Sequence, residues 1–158
     1  MSNTQNAGLL QHVYVFKDLT PKELETIAEI AKIEAFHSGD EIFTQGDPAV
    51  SFFVIKFGSV KIQTTAGEKT VEVATLGTGS HFGEMAFVDG EKRSATVVTM
   101  ERTELIKLDF QDLRRVLDGN PAIAVKVYKA FAHFLCGRLR ITTNDLSFAR
   151  EKNFRSIV

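Results

Sequence analysis

The side chains of this chain that carry the most chemistry at close spacing lie in one stretch, Phe82-Gly83-Glu84-Met85-Ala86-Phe87-Val88-Asp89-Gly90-Glu91-Lys92-Arg93-Ser94-Ala95-Thr96-Val97. Glycine before Glu84 lets backbone approach a ligand closely, and Glu84 to Phe87 is compatible with one helical turn, whose free N–H groups form an anion site. Arg93, just ahead of a strand-like run, adds a guanidinium fork matched to phosphate geometry, and Ser94 adds a hydroxyl. A carboxylate beside a phosphate is repulsive unless it pairs with hydroxyl groups, so Glu84 suggests a sugar. Anion nest, arginine and sugar-reading acid together point to a nucleotide. Each part alone has a plainer reading, since Glu84 and Arg93 can also be surface charges that pair with each other at little gain. Order and spacing favour the site.

The elements that must hold this stretch are written in the glycines. Eight of the eleven fall between Gly39 and Gly90, among short β-branched and aromatic runs. That density marks tight turns in an all-β region. The runs 41–44, 51–56, 59–65, 70–76, 94–99 and 103–108 read as strands, too closely spaced for helical crossovers, so the sheet is antiparallel. Both ends read as helical. Thr20-Pro21-Lys22-Glu23 is a capping box opening a helix over 21–34. Asp109 opens a short helix with Phe110, Leu113, Val116 and Leu117, and Asn120-Pro121 opens a longer one. Along the latter Val127, Phe131, Leu135, Leu139, Thr142 and Leu146 form one stripe. The fold class expected is mainly β with flanking helices, an antiparallel β-roll or jelly roll over 35–108. An N-terminal helical part over 15–34 and C-terminal helices over 109–155 complete one domain of 158 residues. The long stripe either folds wholly over its own roll or lends its far half to a partner chain, and the second is expected because one roll is too small to cover it.

Composition narrows the function classes. With 44% apolar and 25% charged residues and a net charge of -1, no global field attracts a polyphosphate, so non-specific nucleic-acid binding is disfavoured. The first sixteen residues lack a secretory leader and no run reaches the roughly 18 apolar residues of a membrane span, so a cytoplasmic protein is expected. The lone Cys136 reads as a small buried hydrophobe. His12, His37, His81 and His133 are scattered, without the His-x-His pair of a metal-binding roll, and read as structural or exposed. No metal or cofactor is expected.

Two blocks resemble a known family, the cyclic nucleotide-binding domains of catabolite activator proteins, cyclic-nucleotide-dependent kinases and gated channels. Gly39-Asp40-Glu41-Ile42-Phe43-Thr44-Gln45-Gly46-Asp47-Pro48, with Phe52 to Ile55 and Gly58 to Ile62, resembles that family's opening strand-turn-strand units. Phe82 to Val97 resembles its phosphate-binding cassette, F-G-E-x-A followed by E-R-S-A, with Lys92 where kinase-type cassettes have proline. The resemblance implies that Glu84 and the Gly83 backbone hold the ribose 2′-hydroxyl, that backbone N–H groups around Met85 and Ala86 meet the cyclic phosphate, and that Arg93 and Ser94, with Ala95 beside them, complete that site. Arg138-Leu139-Arg140-Ile141-Thr142-Thr143 looks like the activator motif R-L-Q-V-T-S, which implies that Thr142 and Thr143 reach adenine, one from each subunit of a dimer. Thr142 can equally be a hydroxyl bonded back to its own helix. Val71, Val73, Leu76 and Leu139 are the expected walls of the purine.

The expected function is a stand-alone sensor of cAMP, with cGMP less favoured, acting as a homodimer through the long helix and relaying the signal to a protein effector. The tail beyond Thr143 is too short for a helix-turn-helix, so DNA binding is not expected unless these residues are a fragment of a longer chain. An adaptor that keeps the roll without binding ligand is the alternative, and a cupin-type enzyme is disfavoured by the scattered histidines.

Overall fold

The computed structural model describes residues 2–157, and side chains for residues 4–151. Two helices, α1 (Ser2–Leu10) and α2 (Pro21–Glu29), flank a 3-10 turn at Tyr14–Phe16. Thr20 caps α2 reciprocally. Its hydroxyl accepts from Glu23 N–H at 3.2 Å, and the Glu23 carboxylate accepts from Thr20 N–H at 2.9 Å. The helix is shorter than the expected 21–34, because Lys32–Phe36 forms strand β1. That strand pairs with residues 103–107, some seventy positions away, a partner that local periodicity cannot register.

Seven further strands follow among the described residues: β2 (Glu41–Phe43), β3 (Ser51–Phe57), β4 (Ser59–Ala66), β5 (Lys69–Gly77), β6 (His81–Phe82), β7 (Thr96–Thr99) and β8 (Thr103–Asp109). A short helix, α3 (Met85–Asp89), stands between β6 and β7, and α4 (Phe110–Gly119) and α5 (Pro121–Ile157) follow β8. The strands form two antiparallel four-stranded sheets, ordered β1-β8-β3-β6 and β2-β7-β4-β5. This is the expected jelly roll, with β1, β6 and α1 added to the expected elements and β7 beginning at Thr96 rather than at 94.

Strand β3 shows why the layers stack as they do. Its run Phe52-Phe53-Val54-Ile55 is apolar at every position, and successive side chains point to opposite faces. Phe53 and Ile55 face the roll interior with Val60, Ile62, Phe82, Val97 and Leu105. Phe52 and Val54 face the helices, meeting Ile27, Leu113, Val127 and Phe131. Phe52 meets Phe131 edge-on, with ring centroids 6.0 Å apart. Each such buried phenylalanine stabilises the fold by about 2 to 3 kcal/mol, so β3 ties the roll to α5.

The long stripe of α5 divides at this contact. Val127 and Phe131 are buried, whereas Leu139 and Leu146 are exposed, as expected for a helix that outruns its own roll. Cys136 is exposed, a correction to the buried hydrophobe expected, because it lies on the side of α5 turned away from Phe134, which packs on Tyr14 and His81. Two expected caps also act differently. Asp109 makes no side-chain cap and binds Lys32 Nζ at 2.6 Å instead, and the Asn120 side chain donates to Val116 O at the end of α4.

Candidate ligand-binding site

Gly83 has a φ of +84°, a conformation that L side chains rarely adopt. The kink ends β6 and turns Glu84 inward, while α3 begins at Met85. The first turn of α3 leaves the N–H groups of Met85 and Ala86 without acceptors in their own helix. Opposite lies Arg93, whose backbone is clamped from both sides: its N–H donates to Asp47 O at 2.9 Å, and its carbonyl accepts from Gly46 N–H at 2.8 Å. The Gly46-Asp47 turn therefore positions the arginine. Its side chain donates from Nη1 to Gly83 O at 3.0 Å and from Nη2 to Ser51 O at 2.5 Å, and lies 3.9 Å from the Phe43 ring.

A cation that is 6% exposed and anchored on two carbonyls, without a direct ion pair, brings positive charge to this place. Burial lowers the Arg93 guanidinium to about 10, with Asp47 and Glu84 pulling the other way, so it is charged at neutral pH. Its Nε has no hydrogen-bond partner, and neither does Glu84 Oε1. Glu84 is 1% exposed, with His81 Nδ1 at 3.4 Å from Oε2 and Arg138 Nη1 at 3.9 Å from Oε1. Glu84 and Arg93 are thus not the surface pair of the plainer reading, for both are buried and no ion pair joins them.

These groups border a cleft of about 320 Å³, within the range of small-molecule sites. Gly83, Glu84, Met85, Ala86, Arg93, Ser94, Ala95 and Val73 all line it. Ser94 and Met85 face each other, hydroxyl to sulfur, at 4.0 Å. The other expected residues stand elsewhere. Leu76 borders an adjoining cavity instead, together with Ala74, and that cavity meets the cleft at Ile62 and Arg138. Val71 is exposed nearer the hairpin turn and lines neither cavity. Leu139 is 66% exposed, and Thr143 is exposed as well. The Thr142 hydroxyl donates to Arg138 O at 3.0 Å, which is the back-bonded arrangement left open by the sequence.

Several residues of the cleft escaped the sequence reading. Phe43, Ile62 and Thr64 are among its walls, Asp89 and Glu91 line it too, and Arg138 enters from α5. Alternation along β2 and β4 could have identified the first three. Arg138 heads the very motif from which the two threonines were drawn. His81 carried no signal, because what sets it apart is Glu84, three residues on across a strand-to-turn kink.

Residues 33–120 match the family model for the cyclic nucleotide-binding domain. The cyclic AMP receptor protein of Thermus thermophilus is 31% identical over 143 residues, which are 88% of this chain and 64% of that protein. The crystal structure of the catabolite activator protein of Thermus thermophilus aligns with a TM-score of 0.76 at 30% identity, covering 85% of this chain and 62% of that one. A cyclic nucleotide-binding domain from Methylobacillus flagellatus shares the fold, with a TM-score of 0.79 at 23% identity over 90% of this chain and 81% of that one. The chain spans 29%, 64% and 20% of the length of the first curated relatives it matches. No helix among the described residues is long and apolar enough to cross a membrane. The family model spans more than half of the residues and the β-roll agrees with it: this chain belongs to the cyclic nucleotide-binding domain family.

Proposed function

We propose that the chain is a cAMP sensor, with cGMP the less favoured ligand, that signals to a protein partner by moving its C-terminal helices rather than by catalysis. The observation that carries this reading is Arg93, a buried cation tied to the carbonyls of Gly83 and Ser51 beside a nucleotide-sized cleft. Such a group selects an anion, and its fork suits a phosphodiester. Glu84 and the Gly83 backbone take the ribose 2′-hydroxyl. The N–H groups of Met85 and Ala86 meet the phosphate with Arg93 and Ser94, and Ala95 and Val73 pack beside the ligand.

The purine is the part that involves α5. Thr142 is one helical turn beyond Arg138, which already borders the cleft. Movement of α5, or the α5 of a second copy, brings Leu139, Thr142 and Thr143 to the base, with Val71 and Leu76 on the roll side. A ligand that binds better to the closed arrangement shifts the population toward it, and the exposed stripe with Leu139 and Leu146 is the surface for a homodimer. Titration calorimetry with cAMP and cGMP tests the reading. Micromolar cAMP binding is expected, with weaker cGMP, and ligand at about 100 times its Kd should add about 2.7 kcal/mol of stability. No heat and no thermal shift with either nucleotide would refute it and leave the adaptor.

A further inference from the structure

His81 is 4% exposed, and neither of its ring nitrogens has a hydrogen-bond partner. Its surroundings are aromatic: the Phe134 ring of α5 is 4.4 Å away and the Phe52 ring of β3 is 6.3 Å away, edge-on. A phenylalanine would fill such a place without the cost of burying two polar nitrogens. The polar feature within reach is Glu84, whose Oε2 lies 3.4 Å from Nδ1, while Arg138 stands 3.9 Å from the other oxygen.

We propose that His81 is a positioning residue for Glu84, and that protonation of its imidazole is coupled to ligand binding; this rests on the nucleotide reading above. The groups that face it are Glu84 from the turn after β6, Arg138 from α5, and His12 and Tyr14 from the start of the chain. The last three border with His81 a cavity of about 400 Å³. A phosphodiester is a monoanion throughout the neutral range, and its entry displaces water and strengthens the local charge interactions. A hydroxyl donates a stronger hydrogen bond to a carboxylate than to a neutral acid, so the ribose favours the charged form of Glu84. Both effects favour imidazolium over imidazole, so the complex takes up a proton. By reciprocity, affinity rises as pH falls through the histidine range. Arg138 does not titrate there and contributes a constant background.

Calorimetry on the whole chain with cAMP, in buffers of different ionisation heat, reads this directly. Affinity about threefold higher near pH 6 than near pH 8, with net proton uptake, is expected of the wild type. Both effects should vanish in His81→Gln, which keeps an N–H donor but cannot titrate. A flat profile without proton exchange in the wild type, or an unchanged profile in His81→Gln, overturns the proposal. NMR of the His81 ring nitrogens needs neither ligand nor a His81 variant. The Nδ1 signal should change in Glu84→Gln at fixed pH, and an unchanged Nδ1 signal overturns the pairing. Absence of cAMP binding in the wild type would defeat the nucleotide reading, whereas a Glu84-dependent Nδ1 signal would still establish the positioning role.

Discussion

The guanidinium carbon of Arg93 stands 3.9 Å from the centre of the Phe43 ring, so the buried cation packs on an aromatic ring while its two outer nitrogens donate to carbonyls of Gly83 and Ser51. Three anchors leave the guanidinium little freedom, which on the proposed reading preorganises it for an anion. Arg93→Ala should weaken cAMP binding by about 2 to 5 kcal/mol, the cost of truncating one partner of a desolvated charge pair. Arg93→Lys should restore little, since an ammonium cannot span both carbonyls as a planar fork does. Equal affinities for wild type and Arg93→Ala in calorimetry would sink the assignment. Because the Arg93 guanidinium gives up its proton only near about 10, it does not itself generate pH dependence around neutrality.

Gly83 couples the backbone to that same arginine. A Cβ at this position would sit 2.8 Å from Arg93 Nη1, on a φ of +84° that already disfavours any side chain. Gly83→Ala is expected to cost about 1 to 3 kcal/mol of stability and to weaken cAMP as well. Gly58→Ala is the contrasting variant: its Cβ would meet Arg102 O at 2.6 Å and Thr103 Cα at 2.8 Å, backbone atoms that cannot turn aside. It should lower the melting temperature more than Gly83→Ala, and refolded protein should retain its affinity. Thermal melts paired with calorimetry separate the two.

The exposed half of α5 makes a prediction about assembly. Leu139 and Leu146 are 66% and 52% exposed, an apolar stripe with nothing of its own roll against it. The double variant Leu139→Glu with Leu146→Glu should be monomeric by light scattering where the wild type is a dimer, with the roll intact by circular dichroism. A monomeric wild type would remove the homodimer from the proposal.

A tie between α2 and α5 predicts an acid limb of stability. Lys126 Nζ lies 2.6 Å from Glu23 Oε1, and that hydrogen bond, followed by the one from the Thr20 backbone, holds the Glu23 carboxyl below its ordinary value of 4.5. With the folded value depressed, the unfolded chain takes up the proton first. The contribution is therefore complete above the ordinary value and is lost as pH falls through the folded one. Lys126→Met should flatten the stability profile between about pH 5 and pH 3, read as urea midpoints, and the effect should shrink in high salt.

How far the molecule was legible depends on the range over which each signal acts. Turn glycines, the Thr20 capping box and the stripe of α5 are local, and they marked the roll, the start of α2 and the outrunning helix. The same locality explains the failures. β1 became a strand because Lys107 and its neighbours lie alongside it, and Lys107 Nζ reaches Glu34 at 3.1 Å. Asp109 looked like a cap but found Lys32, and Asn120 turned back to α4.

For the site, sequence by itself picked out Gly83, Glu84, Arg93 and Ser94, which sit close along the chain with types and spacing that point to one chemistry. Only the tertiary structure decided what surrounds them. Phe43 beneath Arg93, the Gly46-Asp47 turn that clamps it, Ser51 O that anchors it, and Arg138 and His81 on either side of Glu84 come from five separate places in the chain. Charge and burial at a point are sums over everything that packs there, and a linear sequence names those neighbours only after the fold has brought them together.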